Sequence, residues 1–368
     1  MKMDLASLMP NEIMDLLKEM GEKPYRAEQL FSSIHKNGIS NLLDISTLSL
    51  ELRRKLEEKA PLHFPKVKSK KISADGTRKY LLETHDGRSI ESVFIPNASA
   101  QGRNALCISS QVGCAMGCRF CATAALKLTR NLTPSEIVGQ VYAVINDLAA
   151  DLGEAAAGAD FRPIDNIVYM GMGEPLHNYD HVIRSIALLT HEKGRMLAPR
   201  RITVSTSGIA PRIGDLGKDT KVHIAISLNA TTNATRTEIM PVNKKWDIEK
   251  LLDTCRAFPL PRRRRITFEY VLLKGINDSL DDAKRLTRLL KGMPSKINLI
   301  PFNEHPLSPY KKPAIETTLA FQDILINSGF SAFIRSTRGD DIDAACGMLG
   351  AAKLASAREK QKAELNVL

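Results

Sequence analysis

Three cysteines stand close together in Gly113-Cys114-Ala115-Met116-Gly117-Cys118-Arg119-Phe120-Cys121, a Cys-x-x-x-Cys-x-x-Cys run, and Cys107 lies just before them. Three thiolates on one tight loop can bind three irons of a 4Fe-4S cluster and leave the fourth iron open to a substrate or cofactor. A structural zinc completed by Cys107 is the alternative, but zinc ligands usually come as Cys-x-x-Cys pairs from two places. The spacing therefore favours the cluster. Cys346 and Cys255 complete the six cysteines. By residue type alone, Cys107 reads as a buried strand cysteine, Cys346 as a small core residue and Cys255 as helix packing.

The elements that must position these residues follow from periodicity. Up to residue 60, apolar spacing predicts three short helices, over Pro10–Met20, Pro24–Asn37 and Thr47–Lys59. Residues 66–96 alternate in the manner of strands, with turns at Asp75-Gly76 and Asp86-Gly87. From residue 104, β-rich runs (ALCISS, NIVYM, RITVST, VHIAISL, ITFEYVLL, KINLIPF, SAFIRS) alternate with helical segments. Such repeats predict parallel strands with helices outside, an α/β fold built as a partial (β/α)6 barrel. Its chemistry belongs at the carboxyl ends of the strands. The predicted division is a helical accessory module at 1–60, a β-hairpin linker at 61–103, the barrel at 104–340 and a helical C-terminal segment at 341–368. Ala149–Asp160, the one low-complexity stretch, reads as a surface extension of a helix.

Composition narrows the partners. Hydrophobic residues at 43% and charged residues at 25% exclude a collagen-like or wholly disordered chain. No run approaches the roughly 18 apolar residues of a membrane helix. The first residues show no basic stretch followed by an apolar core, so the expected location is the cytoplasm. Lys and Arg exceed Asp and Glu by 52 to 41, a net charge of +11 that suits a polyanion such as RNA. Aromatic residues at 5% are too few for a broad base-stacking platform. Candidate phosphate contacts are Arg262–Arg265 on a loop, and Lys23, Arg26, Arg53, Arg54 and Lys55 in the helical module. His85, His177, His181, His191 and His223 are scattered and read as structural or surface residues.

The cysteine run at this place in a β/α chain resembles the radical S-adenosylmethionine superfamily. Met170-Gly171-Met172-Gly173-Glu174-Pro175, closing the second barrel strand, is similar to that superfamily's Gly-Glu-Pro segment, which meets the cofactor's amino group. The resemblance is closer to the RlmN family of adenine carbon-2 RNA methyltransferases, sister to the Cfr group. It rests on GEKPYRAEQLF, SIESVFIP, ALCISSQVGCAMGCRFCATA, RNLTPSEIVGQV, YMGMGEPLHN, RITVSTSG, AISLNA, PVNKKW, KINLIPFN and RGDDIDAACGMLG, in order along nearly the whole chain.

The resemblance implies a 4Fe-4S cluster on Cys114, Cys118 and Cys121, and S-adenosylmethionine contacts at Gly173, Glu174, Ser205, Ser227, Leu228, Asn229 and Asn303. It makes Cys346 the methyl carrier, Cys107 the cysteine that resolves a covalent RNA adduct by forming a disulfide, and Glu91 the proton acceptor. The family usually has Ser-Leu-His where this chain has Ser227-Leu228-Asn229, so a contact made by imidazole is lost while an amide or backbone hydrogen bond survives. The implied substrates are 23S ribosomal RNA and transfer RNA. The implied electron donor is a flavodoxin or ferredoxin, and a monomer is expected. Carbon-8 methylation of the Cfr type is the rival activity, and Arg338-Gly339-Asp340-Asp341 is more similar to the carbon-2 group. A zinc-stabilised RNA-binding protein without catalysis would leave GMGEP and Cys346 unaccounted for.

Overall fold

The computed structural model describes residues 3–97, 102–153 and 161–350. The amino-terminal module has helices α1 (Pro10–Glu19), α2 (Arg26–His35) and α3 (Leu50–Lys59). Ile13, Leu16, Leu17, Leu30, Phe31 and Ile34 form its buried seam. The third helix starts later than Thr47 because Ser49 caps it, its hydroxyl accepting the Leu52 N–H at 3.3 Å.

Strands β1 (Lys66–Ile72), β2 (Arg78–Glu83) and β3 (Ser89–Ile95) form an antiparallel meander. They are not a separate linker. Through β3, the meander pairs antiparallel with β4 (Ala105–Cys107), the first barrel strand, so it extends the barrel's own sheet. A short pair, β5 (Gln111–Val112) and β6 (Arg130–Asn131), brackets the cysteine loop and helix α4 (Ala122–Ala125).

Helix and strand then alternate as expected. The chain runs through α5 (Pro134–Leu152), β7 (Asn166–Tyr169), α6 (Tyr179–Thr190), β8 (Ile202–Thr206), α7 (Ala210–Asp219) and β9 (His223–Ser227). It continues with α8 (Asn233–Ile239), α9 (Ile248–Arg256), β10 (Ile266–Leu272), α10 (Leu280–Leu290), β11 (Ser295–Pro301), α11 (Ile315–Asn327) and β12 (Ser331–Ile334). The strands β4, β7, β8, β9, β10, β11 and β12 pair in parallel in that order.

Alternation along these strands separates two environments. Ile224, Ile226, Phe268, Tyr270, Ile297 and Leu299 are buried on the helix-covered face, where the Tyr270 ring meets Phe321 of α11 at 5.4 Å. The opposite face carries Ser205, Ser227, Glu269 and Asn298. Parallel strands are usually apolar on both faces, so a polar inner face marks a hollow meant for ligands.

One expectation fails at the carboxyl end. Residues 343–350 are not helical but form successive turns, because Asp343, Gly347 and Gly350 all have positive φ, which no right-handed helix accommodates. The rest of the expected tail helix, 351–368, and most of the low-complexity stretch, 154–160, lie outside the described residues. No helix among the described residues is long and apolar enough to cross a membrane.

Candidate active site

The cysteine loop leaves β5 at Gly113, whose φ is +78° and whose added Cβ would lie 1.7 Å from the Lys127 carbonyl oxygen, so only glycine fits. The Cys121 N–H donates to the Cys118 carbonyl at 3.1 Å, and the Arg119 N–H donates to the Ile239 carbonyl at 3.0 Å, which pins the loop to the end of α8. Burial pushes the Cys114 thiol up to about 12 and the Cys118 thiol well above its ordinary value, and neighbouring thiolates push further. Cys114 and Cys118 thus resist ionisation as bare thiols, and a cationic iron cluster held by these two and by Cys121 on the same loop would supply the compensating charge.

Glu174 lies beside this loop and is fully buried. Its carboxylate accepts the Ser207 N–H at 2.7 Å and the Leu176 N–H at 3.1 Å, while burial raises it above the usual carboxylate range. Gly173 precedes it at φ +99°, where a Cβ would press 2.5 Å from the Gln111 side chain. Gln111 in turn accepts the Glu174 N–H at 2.8 Å. The Gly-Glu-Pro turn is thus rigid before any ligand arrives.

Sequence reasoning missed Arg236. It sits on α8 in an unremarkable polar run, yet it is completely buried and has no carboxylate partner among its hydrogen bonds. Its guanidinium donates to the carbonyls of Leu228 at 3.0 Å, Ser207 at 2.7 Å and Ser227 at 3.2 Å, and to the Asn243 Oδ1 at 3.1 Å. Burial pulls it down to about 10, while the nearby Cys118 opposes that shift. It ties together the carboxyl ends of β8 and β9, where Ser205, Ser227 and Leu228 were expected to hold the cofactor.

Asn229 follows at φ +56°, a conformation asparagine tolerates better than most residues. Its side chain is spent inward. Oδ1 accepts the Val271 N–H at 2.7 Å and Nδ2 donates to the Met240 sulfur at 3.2 Å, leaving the residue 1% exposed.

Cys107, Glu91 and Cys346 come together. On β1 to β4 the cross-strand row Lys71, Lys79, Val93, Cys107 faces the hollow, with Glu91 one row along. Burial and then the charge of Cys346 push the Cys107 thiol upward. Cys346 itself is open to solvent but recessed among protein atoms. Burial raises its thiol, Glu269 and Cys121 raise it further, and Arg335 opposes them. The Cys346 loop is held from several sides. Lys79 Nζ donates to the Asp343 carbonyl at 3.0 Å, and the Glu91 carboxylate accepts the Gly350 N–H at 2.9 Å. From the cysteine loop, the Ala122 N–H and the Thr123 hydroxyl each donate, at 2.8 Å, to the carbonyls of Gly347 and Leu349. Asn303, expected at the cofactor, donates to the Cys346 carbonyl at 3.1 Å.

Other expectations resolve simply. Cys255 is buried on α9. Arg262–Arg265 lie on a loop, but at the amino-terminal ends of the strands, where Arg265 donates to Ser331 at the start of β12. That is the end of the barrel opposite the cysteines. His177 contacts Gln111 at 3.0 Å and His181 the Leu132 carbonyl at 2.9 Å. His85, Asp86 and Glu136 converge as a metal site would, but the Arg130 guanidinium already bridges the two carboxylates, at 2.7 Å to each.

The strand order, the three-cysteine loop and the Gly-Glu-Pro turn define a radical S-adenosylmethionine enzyme, and the Radical SAM superfamily pattern matches residues 108–287. The Ribosomal RNA large subunit methyltransferase N-terminal domain matches residues 3–62. A radical SAM methyltransferase from Sphaerobacter thermophilus superposes with a TM-score of 0.88 at 39% identity, over 95% of this chain and 99% of that one. The chain belongs to the RlmN family. It is 49% identical over 346 residues to the dual-specificity RNA methyltransferase RlmN of Geobacter sulfurreducens, covering 94% of this chain and 91% of the relative. With that of Pelobacter propionicus it shares 45% over 359 residues, covering 97% and 98%.

Proposed function

We propose that this protein methylates carbon 2 of an adenosine in 23S ribosomal RNA, and in transfer RNA the adenosine following the anticodon. The observation that carries this reading is the convergence of Cys346, Cys107 and Glu91 beside the three-cysteine loop. Carbon 2 of adenine lies between two ring nitrogens and has no lone pair with which to attack a sulfonium methyl. When bound, the 4Fe-4S cluster and S-adenosylmethionine supply the one-electron chemistry that activates a methyl group resting on sulfur. Cys114, Cys118 and Cys121 hold the cluster, and Glu174 with the β8 and β9 ends holds the cofactor.

The chain's own residues do the rest. Cys346 carries the carbon and becomes bonded to adenine carbon 2 through a methylene bridge. Glu91 takes the proton from that carbon. The adduct gives up one electron as that proton leaves; Cys107, losing its own proton, attacks the Cys346 sulfur, the sulfur–carbon pair passes to the methylene carbon, which takes up a proton and becomes the methyl group, and a disulfide remains. An external reductant restores both thiols, and a flavodoxin or ferredoxin supplies electrons to the cluster. A zinc-binding RNA protein would have no use for a loop that delivers Cys346 to Cys107. We place the enzyme in the cytoplasm, as a monomer.

Anaerobic incubation with RNA followed by nucleoside mass spectrometry tests the reading. The expected product is 2-methyladenosine. Formation of 8-methyladenosine instead would assign the Cfr activity, and absence of both would remove catalysis.

A further inference from the structure

Two inner-face residues of the last two strands, Asn298 and Phe333, have no role so far. In the register of the sheet, Ser227 of β9, Glu269 of β10, Asn298 of β11 and Phe333 of β12 form one continuous row. The row starts at the cofactor's edge of the hollow and ends at the last strand. Its members are chemically unusual for their places. Phe333 is 53% exposed, although the residues flanking it in β12 are buried or half-buried. Glu269 is a carboxylate only 8% exposed in the middle of a strand. Among the charged groups around Cys346, Glu269 acts most strongly on its thiol, so Glu269, with the Asn298 amide bonded to it, lies on the side of the hollow that faces that sulfur.

Asn298 Nδ2 donates to Glu269 Oε1 at 2.8 Å. That bond fixes the amide's orientation, since only the NH2 side can face a carboxylate acceptor. The second N–H and the carbonyl oxygen remain for a ligand. One donor and one acceptor on a rigid amide match the N7 and N6 edge of adenine, the pairing asparagine makes with that base in nucleic-acid recognition. An exposed ring beside such an amide offers the stacking surface that an extruded base needs.

We propose that Phe333 and Asn298 form the subsite for the target adenine, Phe333 stacking on its face and Asn298 pairing with its N6 and N7, while Glu269 is the positioning residue that fixes the Asn298 amide. This rests on the RNA-methylation reading above and deepens it. It also supplies a reason for carbon selectivity. Carbon 8 adjoins N7 and is covered when that edge is gripped, whereas carbon 2 lies on the far side of the ring, free to meet Cys346.

The test uses anaerobic holoenzyme and a transfer RNA anticodon stem-loop carrying adenosine, 7-deazaadenosine or an abasic residue at the position after the anticodon, with dissociation constants as the readout. Wild type should bind the adenosine form at least about tenfold more tightly than the abasic form, the scale of one stacked base. Phe333→Ala should collapse that gap and leave abasic binding unchanged, and Phe333→Trp should keep it. Asn298→Ala should erase the preference for adenosine over 7-deazaadenosine. Glu269→Ala should erase it too, whereas Glu269→Gln, which still offers an oxygen to Asn298, should restore it. Melting curves of each variant identify any that fail to fold, and Phe333→Trp and Glu269→Gln then stand as the milder tests. A wild type that methylates adenosine yet binds the abasic form equally well overturns the subsite. So does an adenosine preference that survives in Phe333→Ala, or a 7-deaza penalty that survives in Asn298→Ala. A wild type that methylates no RNA refutes the underlying reading instead.

Discussion

Glu91 accepts the N–H of Gly350 at 2.9 Å, so the carboxylate assigned to take the substrate's proton also fastens the far end of the Cys346 loop. Burial raises its pKa, Lys79 and Lys71 pull it back, and Asp343 pushes it up again. A carboxylate acts as a base only above its pKa. Resolution of the covalent RNA adduct should therefore slow as pH falls through a value above the ordinary glutamate range of about 4.3. Lys79→Met should move that acid limb to higher pH, and Lys79→Arg should not. Single-turnover rates across pH check this, and a limb that ignores Lys79→Met would remove Glu91 from the step.

The two working cysteines should fail differently. Cys346→Ala should bind RNA and form no adduct. Cys107→Ala keeps the carrier and loses the attacking thiol, so a protein–RNA crosslink at Cys346 should accumulate and survive a denaturing gel. Multiple turnover by Cys107→Ala would contradict its role.

Protein purified anaerobically should be brown and hold about four irons and four sulfides per chain. Cys118→Ala should lose both colour and activity. Stoichiometric zinc without labile sulfide in the wild type would replace the cluster by a structural metal.

Asn229→Ala should cost about 1 kcal/mol of stability, because it removes the acceptor of the half-buried Val271 N–H on β10. Chemical denaturation measures this directly. A loss of S-adenosylmethionine affinity with unchanged stability would mean that the Asn229 side chain serves the cofactor rather than the fold.

Much of this was legible in the residues because local signals agreed with the global pattern. Period-two and helical spacing located the barrel strands and their helices, and the cysteine spacing located the loop at a strand's carboxyl end. What escaped depends on contacts between distant segments. Nothing in SIESVFIP says that β3 will pair with β4 and join the meander to the barrel. Arg236 has no local signature, since its burial comes from carbonyls on two other strands. Asn303 matched a cofactor contact by motif, yet its amide is engaged by the Cys346 loop, a partner 43 residues away. Residues 343–350 depart from the expected helix for a plainer reason. Their composition suits a helix, but Asp343, Gly347 and Gly350 take the left-handed conformation to fit around Cys346.

Besides Asn303, the attachments of that loop reach back to Lys79, Glu91, Ala122 and Thr123, all within the first 123 residues. A protein is synthesised from its amino end, and its early parts begin to fold first. The half that carries Cys114, Cys118 and Cys121 is therefore made while the segment bearing Cys346 is still to come. If Cys346 is the methyl carrier proposed above, arrival of Asp343–Gly350 is the event that completes the site. On that proposal, premature termination anywhere before Cys346 should leave a protein unable to bond itself to RNA.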